Sequence, residues 1–269
     1  MEKRNFREVK PGGFGNRRPK SDKSDMLFGM RPIIEAMQAG KTVEKIFMQR
    51  NLKSEQASEM SRLAKELEVP VAIVPIEKLN NLTRKNHQGA VAFVSPISYA
   101  PLEEIVASVY EKGEVPLFVV LDRVTDVRNF GSIARNAECL GAHALIIPSR
   151  GGAQINADAV KTSAGALNII PVCREANLKN TINFLQDSGI QLVACTEKTD
   201  TDLTTASVDF TGPTALLLGS EEDGISPEYL KRCDAKVKIP ILGQIESLNV
   251  AVATGIVLYE VVRQRQQVQ

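Results

Sequence analysis

The sequence predicts an α/β protein in which the second half of the chain forms a parallel sheet covered on both faces and a smaller α/β unit stands in front of it. Three observations carry this. From Pro116 onward, short apolar runs bounded by turn residues alternate with helical stretches, the pattern of strands buried on both faces and the helices that cross over them. Before that point the alternation is tighter, and Pro96, Pro101 and Pro116 punctuate the passage between the halves. Hydrophobic residues make up 43% of the 269-residue chain and charged residues 24%, a globular balance with length for two ordinary domains.

The elements follow in order. Residues 1–25 hold eight Lys/Arg against four Asp/Glu and few apolar residues, so a disordered basic tail is expected there. Net charge is +1 for the whole chain; the tail accounts for +4 of it and leaves the body at −3. "LFGMRPIIEAMQAG" reads as a helix with Pro32 near its start and Gly40 at its end. "VEKIFMQ" alternates as a strand, "SEQASEMSRLAKELE" is an amphipathic helix, "VPVAIV" a strand, "IEKLNNL" a short helix and "GAVAFVS" a strand. Residues 26–97 thus form the leading unit, and 98–115 read as a linker containing a helix. In residues 116–269 the expected strands are "LFVVLD", "ALIIP", "ALNIIPV", "IQLVACT", "TALLLG" and "KVKIP", with helices near 130–140, 154–163, 177–188, 226–232 and 248–265. The last helix, with Val250, Val252, Ala253, Ile256, Val257, Tyr259 and Val261, reads as buried on nearly every side.

Several classes fall away. No apolar run reaches the roughly 18 to 20 residues of a membrane span, and no secretory signal is visible, so a cytoplasmic protein is expected. Cys139, Cys173, Cys195 and Cys233 form no C-x-x-C pair and His87 and His143 are the only histidines, so no metal site is expected and the thiols read as buried or inert. No strand is followed by a glycine-rich phosphate loop, which disfavours a metabolic enzyme of the dinucleotide-binding kind.

Ligands of open parallel sheets bind at the carboxyl ends of strands, and three such loops carry unusual polar content. In "LDRVTDVRNFGSIARNAECLGA", Asn129 and Ser132 are both credible helix caps, and Arg135 in an otherwise apolar helix start needs solvent or an anionic partner. In "LLLGSEEDGISPEYL", Gly219 removes a side chain where backbone must approach closely, three successive acids argue against a phosphate cradle, and Ser226-Pro227 opens a helix. In "GQIESLNV", Ser247 or Asn249 can cap the following helix, yet Glu246, Ser247 and Asn249 cannot all do so. Such a surplus of polar groups suggests a site.

In this order and spacing the loops resemble the SpoU (TrmH-like) family of RNA ribose 2′-O-methyltransferases. The resemblance rests on Asn129-x-Gly131-x3-Arg135, on Gly219-Ser220-Glu221-x2-Gly224, and on Ile239-Pro240 … Ser247-Leu248-Asn249-Val250 … Tyr259-Glu260. The leading unit, with "FGMRPIIEAM" and "HQGAVAFV", is similar to the L30e-like substrate domain of the RlmB-like branch. This resemblance implies a C-terminal trefoil-knotted methyltransferase domain, S-adenosylmethionine as methyl donor, a homodimer with the active site near the subunit interface, and RNA as substrate. The target it favours is a guanosine of 23S rRNA, with tRNA the nearest rival and a non-catalytic ribosome assembly factor the alternative of a different class.

It further implies Gly219, Ile239, Leu248 and Thr196 at the donor, Arg135 as catalytic residue, Ser247 and Asn249 around the ribose, and Asn129 and Glu221 holding the loops. Two positions depart from the family pattern. Val127 stands where a proline is usual, and Glu246 where small residues are common. Arg31, Arg50, Lys53, Arg84 and Lys85, together with the tail, are the expected source of charge for RNA phosphates.

Overall fold

The computed structural model describes residues 26–153, 155–203 and 208–268. The predicted tail therefore lies outside the described residues.

The first unit is a four-stranded sheet built from β1 (Met26–Phe28), β2 (Val43–Gln49), β3 (Val71–Val74) and β4 (Ala90–Val94), in the order β1-β4-β2-β3. Helices α1 (Met30–Gln38) and α2 (Glu55–Glu66) cover one face and α3 (Ile76–Leu82) lies against the other. The segment expected to open as a helix instead begins with β1, which pairs antiparallel to β4. Gly29, at φ 90°, then turns the chain into α1. Left-handed backbone at a glycine makes that corner possible where other residues would be strained.

Residues 98–115 are more than a connection. They hold α4 (Leu102–Glu111), whose Leu102, Val106 and Val109 are buried with Phe118, Ile146 and Leu217 of the second sheet.

The second sheet is parallel throughout and runs β10-β8-β9-β5-β6-β7. Its strands are β5 (Leu117–Asp122), β6 (Ala144–Pro148), β7 (Val172–Glu175), β8 (Gln191–Cys195), β9 (Thr214–Gly219) and β10 (Ala235–Val237). Every residue of β5 is buried, as expected of a central strand with cores on both sides. The helices are α5 (Val127–Cys139), α6 (Ala157–Thr162), α7 (Leu178–Asp187), α8 (Pro227–Leu230) and α9 (Val250–Gln266). "ALNIIPV" departs from its strand reading: Ala166–Asn168 is a 3-10 turn entered from Gly165, and β7 begins only at Val172. Apolar runs of that length do not distinguish a strand from a turn packed into the core, and Ala166, Leu167 and Ile170 are buried as a turn.

Helix α9 also departs from its reading. Val257, Leu258 and Val261 are buried, but Val252, Ile256 and Tyr259 stand 50%, 38% and 61% exposed. The helix is apolar all round because one side meets the core and the other presents an apolar stripe at i, i+4, i+7 spacing. The two units are joined by polar groups. Arg174 on β7 donates from Nη1 to Oε2 of buried Glu44 on β2 at 2.8 Å, and Tyr99 donates its hydroxyl to Oε1 of the same carboxylate. The guanidinium also lies over the Tyr99 ring, 5.2 Å from its centre.

Candidate active site at the carboxyl edge

The three polar loops leave the carboxyl ends of β5, β9 and β10, and their side chains meet. Asp126, rather than Asn129 or Ser132, caps α5, accepting from the Arg128 and Asn129 backbone N–H groups at 2.9 and 2.7 Å. Asn129 is thereby freed from capping. Its Nδ2 donates to Glu221 Oε1 at 2.7 Å, and its Oδ1 accepts from Asn249 Nδ2 at 3.0 Å. Asn249 caps α9 through Oδ1, which accepts from Ala251 N at 3.0 Å and Val252 N at 3.4 Å. The same side chain donates from Nδ2 to Glu221 Oε1 at 2.7 Å. One carboxylate oxygen thus receives both asparagines while the N-termini of two long helices converge on it, a setting that favours negative charge. Glu221 Oε2 has no hydrogen-bond partner among the described residues.

The loop carrying Glu221 is held from the opposite side by Asp122 and Arg123. Asp122, almost wholly buried at the end of β5, accepts from Arg123 Nε at 3.0 Å, from its Nη2 at 3.2 Å and from Ser226 N at 2.7 Å. Arg123 donates onward to Asp223 Oδ2 at 3.2 Å and to the Gly224 carbonyl at 3.1 Å. Hydrogen bonding to Asp122 holds the Arg123 proton more firmly than usual. Arg123 adopts φ 57° to do this, a backbone conformation that non-glycine residues take at a cost. Gly219 meets the same loop: a Cβ there would sit 2.1 Å from the Gly224 carbonyl carbon. The close approach read from the sequence is therefore between the loop's own two ends. Gly131 has a packing role, since a Cβ there would lie 2.6 Å from the Ala159 carbonyl oxygen of α6.

Beside this cluster lies a cavity of about 400 Å³. Thr196, Gly219, Ile239 and Leu248 all line it, as do Glu221 and Ser247. Glu197, Glu222, Asp223 and Glu246 supply acid to its wall against one cation, Lys198, and Leu218, Ile225 and Val250 supply apolar surface. Such a wall suits a ligand with an apolar ring and a cationic part and opposes one with phosphates. Cys195 also lies in the wall, its thiol pushed up to about 12 by burial, so it is inert there.

Arg135 is not brought into the cluster. Its side chain on α5 is exposed, does not line the cavity and has no partner among the described residues. Its neighbour Asn136 donates to the Ala251 carbonyl of α9 at 2.8 Å, which puts Arg135 beside the α5–α9 contact. Ser247 and Glu246 are exposed at the cavity's rim. Sequence reasoning missed Asp122, Arg123 and Asp126; the Asp-x-x-Asn spacing of Asp126 and Asn129 was the signal for the cap.

Comparison with known proteins identifies the family of the chain. The model of the SpoU rRNA Methylase family matches residues 116–259, and that of the RNA 2′-O ribose methyltransferase substrate-binding domain matches residues 26–100. The chain belongs to the SpoU rRNA methylase family. YacO of Bacillus subtilis, named for the TrmH family of tRNA/rRNA methyltransferases, is 35% identical over 248 residues, covering 92% of this chain and 99% of its own. Among solved structures, the SpoU methyltransferase AviRb of Streptomyces viridochromogenes in complex with AdoMet is 32% identical, with a TM-score of 0.57 and 90% of each chain covered. An AdoMet-bound rRNA methyltransferase of Sinorhizobium meliloti is 28% identical, with a TM-score of 0.56, covering 89% of this chain and 87% of its own.

Proposed function

We propose that this chain is an S-adenosylmethionine-dependent RNA 2′-O-ribose methyltransferase, that its substrate is a guanosine of 23S rRNA, and that it works as a homodimer. The observation that carries the reading is the convergence of Asn129, Glu221 and Asn249, from three separate loops, at a cavity lined by Thr196, Gly219, Ile239 and Leu248. The donor fits that cavity chemically: Ile239 and Leu248 supply apolar lining for an adenine, and the acids in the wall attract a positively charged sulfonium. When bound, S-adenosylmethionine supplies a methyl group on a positively charged sulfur.

The chain's own groups do the rest. The ribose 2′-oxygen must lose its proton as it takes the methyl, and it must lie in line behind it. Arg135 is a poor base, because a guanidinium is a donor with no acceptor to offer. Its role is to grip an RNA phosphate and lower the pKa of the 2′-hydroxyl by its positive charge. Ser247 and Asn249 position the ribose, while Asn129 and Glu221 keep the loops in register.

The apolar stripe of Val252, Ile256 and Tyr259 supports a homodimer, since a second copy would cover it. Arg135, unpartnered beside the α5–α9 contact, would then lie near the interface. The trefoil knot belongs to the same proposal: β9 enters the sheet between β5 and β8, both earlier in the chain, an insertion compatible with threading. The choice of rRNA is supported by the full-length match to the Sinorhizobium enzyme, first unit included, while relatives such as YacO keep tRNA as the rival.

The test incubates the protein and Arg135→Ala with labelled S-adenosylmethionine and separate pools of unmodified 23S rRNA and tRNA. Label in 23S rRNA that the variant loses supports the reading. Label in tRNA keeps the chemistry and overturns the substrate, and equal labelling by the variant overturns the role of Arg135.

A further inference from the structure

The two faces of the first sheet differ in kind. One is closed by α1 and α2 over Ile33, Ile46 and Met60. The other carries α3, which buries Leu79 but leaves Phe28 on β1, Phe47 on β2 and Phe93 on β4 half-buried. Phe47 and Phe93 meet edge to face with ring centres 5.9 Å apart. Lys45 lies 5.0 Å and Lys78 5.8 Å from the centre of the Phe47 ring, and Lys85 lies 4.7 Å from that of Phe28. These three ammonium groups come from a strand, a helix and a loop, yet all gather over two rings. Filling a core requires neither the rings nor the cations, since a packed aliphatic layer would serve α3 equally well.

We propose that this face is the surface on which the protein holds unpaired RNA, with bases against the phenylalanine rings and phosphates against Lys45, Lys78 and Lys85. Aromatic faces interleaved with cations suit a strand whose bases are free to stack. A duplex keeps its base faces stacked inside and offers phosphates, 2′-hydroxyls and base edges, so it would leave the rings unused. Lys45 also lines, with Arg150, a cavity of about 420 Å³ between the two units. That cavity reaches Ile147 and Pro148 at the carboxyl end of β6, the same edge of the second sheet that carries the candidate donor site. Arg150 is exposed and has no partner among the described residues, so it is free to meet a phosphate on the way. A strand on the aromatic face thus has a basic path toward the reaction centre. This deepens the methyltransferase reading and rests on it for the choice of RNA as ligand.

Fluorescence anisotropy with the full chain tests the surface without any catalytic step. The probes are a labelled unstructured RNA oligonucleotide and a blunt RNA duplex of equal length. The single strand is expected to bind more tightly than the duplex. Phe47→Leu, which keeps apolar volume but removes the ring, is expected to weaken single-strand binding about tenfold. Lys78→Gln, on the exposed side of α3, is expected to flatten the dependence of log affinity on log salt by about 0.7. Arg62→Gln on α2, behind the opposite face of the sheet, should change neither. Circular dichroism and thermal melting of the full chain serve as the folding control, and the first unit should stay folded throughout. Equal affinity for duplex and single strand would overturn the proposal, as would Phe47→Leu and Lys78→Gln both behaving as wild type. Should Phe47-dependent binding be found with no methyl transfer to any RNA, the surface stands and the catalytic reading falls.

Discussion

Two polar clusters in this molecule are built from similar groups and end in opposite states. At the joint between the units, Glu44, Tyr99 and Arg174 are largely buried, and both carboxylate oxygens are bonded. Burial beside Glu44 keeps the Tyr99 phenol neutral well above its usual range. At the carboxyl edge, Glu221 receives two amide donors on one oxygen, leaves the other open to solvent, and shares a cavity wall with Ser247, which has no partner among the described residues. A buried network must satisfy itself, because unpaired polar groups away from water are costly. An exposed one can keep donors and acceptors in reserve for a ligand. The first cluster is closed on itself, and the second keeps groups in reserve, as the proposed chemistry requires.

The comparison breaks most visibly at the joint. Arg174→Ala leaves Glu44 buried without its cation and is expected to cost about 3 kcal/mol of stability, read by urea denaturation. Adding Glu44→Gln removes the stranded charge and should recover much of that loss. A stability change below about 1 kcal/mol for the single variant would mean that water reaches Glu44 and that the joint is not a closed network.

Asn249→Ala is expected next in size. It removes the cap of α9, worth about 1 kcal/mol, and both of its bonds at Glu221 and Asn129, so methyl transfer should fall further than stability does. Asn249→Asp separates the two roles: it keeps the cap but sets a second carboxylate against Glu221, so stability should largely survive while activity does not.

Arg123→Ala strips the cation from buried Asp122, which keeps its bond from Ser226 N, and should loosen the loop from Gly219 to Ser226, raising the Kd for S-adenosylmethionine about tenfold by calorimetry. Arg123→Gly sharpens this, because it relieves the left-handed backbone yet loses the same bonds. It should be the more stable of the two variants with the same weakened donor binding. The smallest effect concerns the thiols. Cys139 is exposed, whereas burial pushes Cys173, Cys195 and Cys233 up to about 12. At pH 8 a thiol reagent should modify Cys139 rapidly and the other three only on unfolding, followed by mass spectrometry.

What was legible in the sequence follows from the range of the physics. Leu117–Asp122, Thr214–Gly219 and Val43–Gln49 are strands with the bounds that periodicity and turn residues suggest, because those signals are local. Met26–Phe28 was hidden, since its strand character comes from pairing with β4 far along the chain. The half-exposed stripe of α9 was hidden for a related reason: an apolar residue reads the same whether its partner is its own core or another surface. The polar surplus at Glu246–Asn249 was readable, but its meaning required the fold. Only the structure shows that Asn249 caps a helix with one atom and reaches Glu221 with the other. The Glu44–Arg174 pair, 130 residues apart, left no mark in either local stretch.

Whether the carboxyl-edge cluster directs a methyl group to a ribose oxygen is decided by digesting RNA labelled by the protein to nucleosides and locating the methyl by mass spectrometry. A methyl on the ribose of a guanosine is expected, with the adjoining phosphodiester resistant to alkali. A methyl on the base, with the phosphodiester still cleavable, would contradict it.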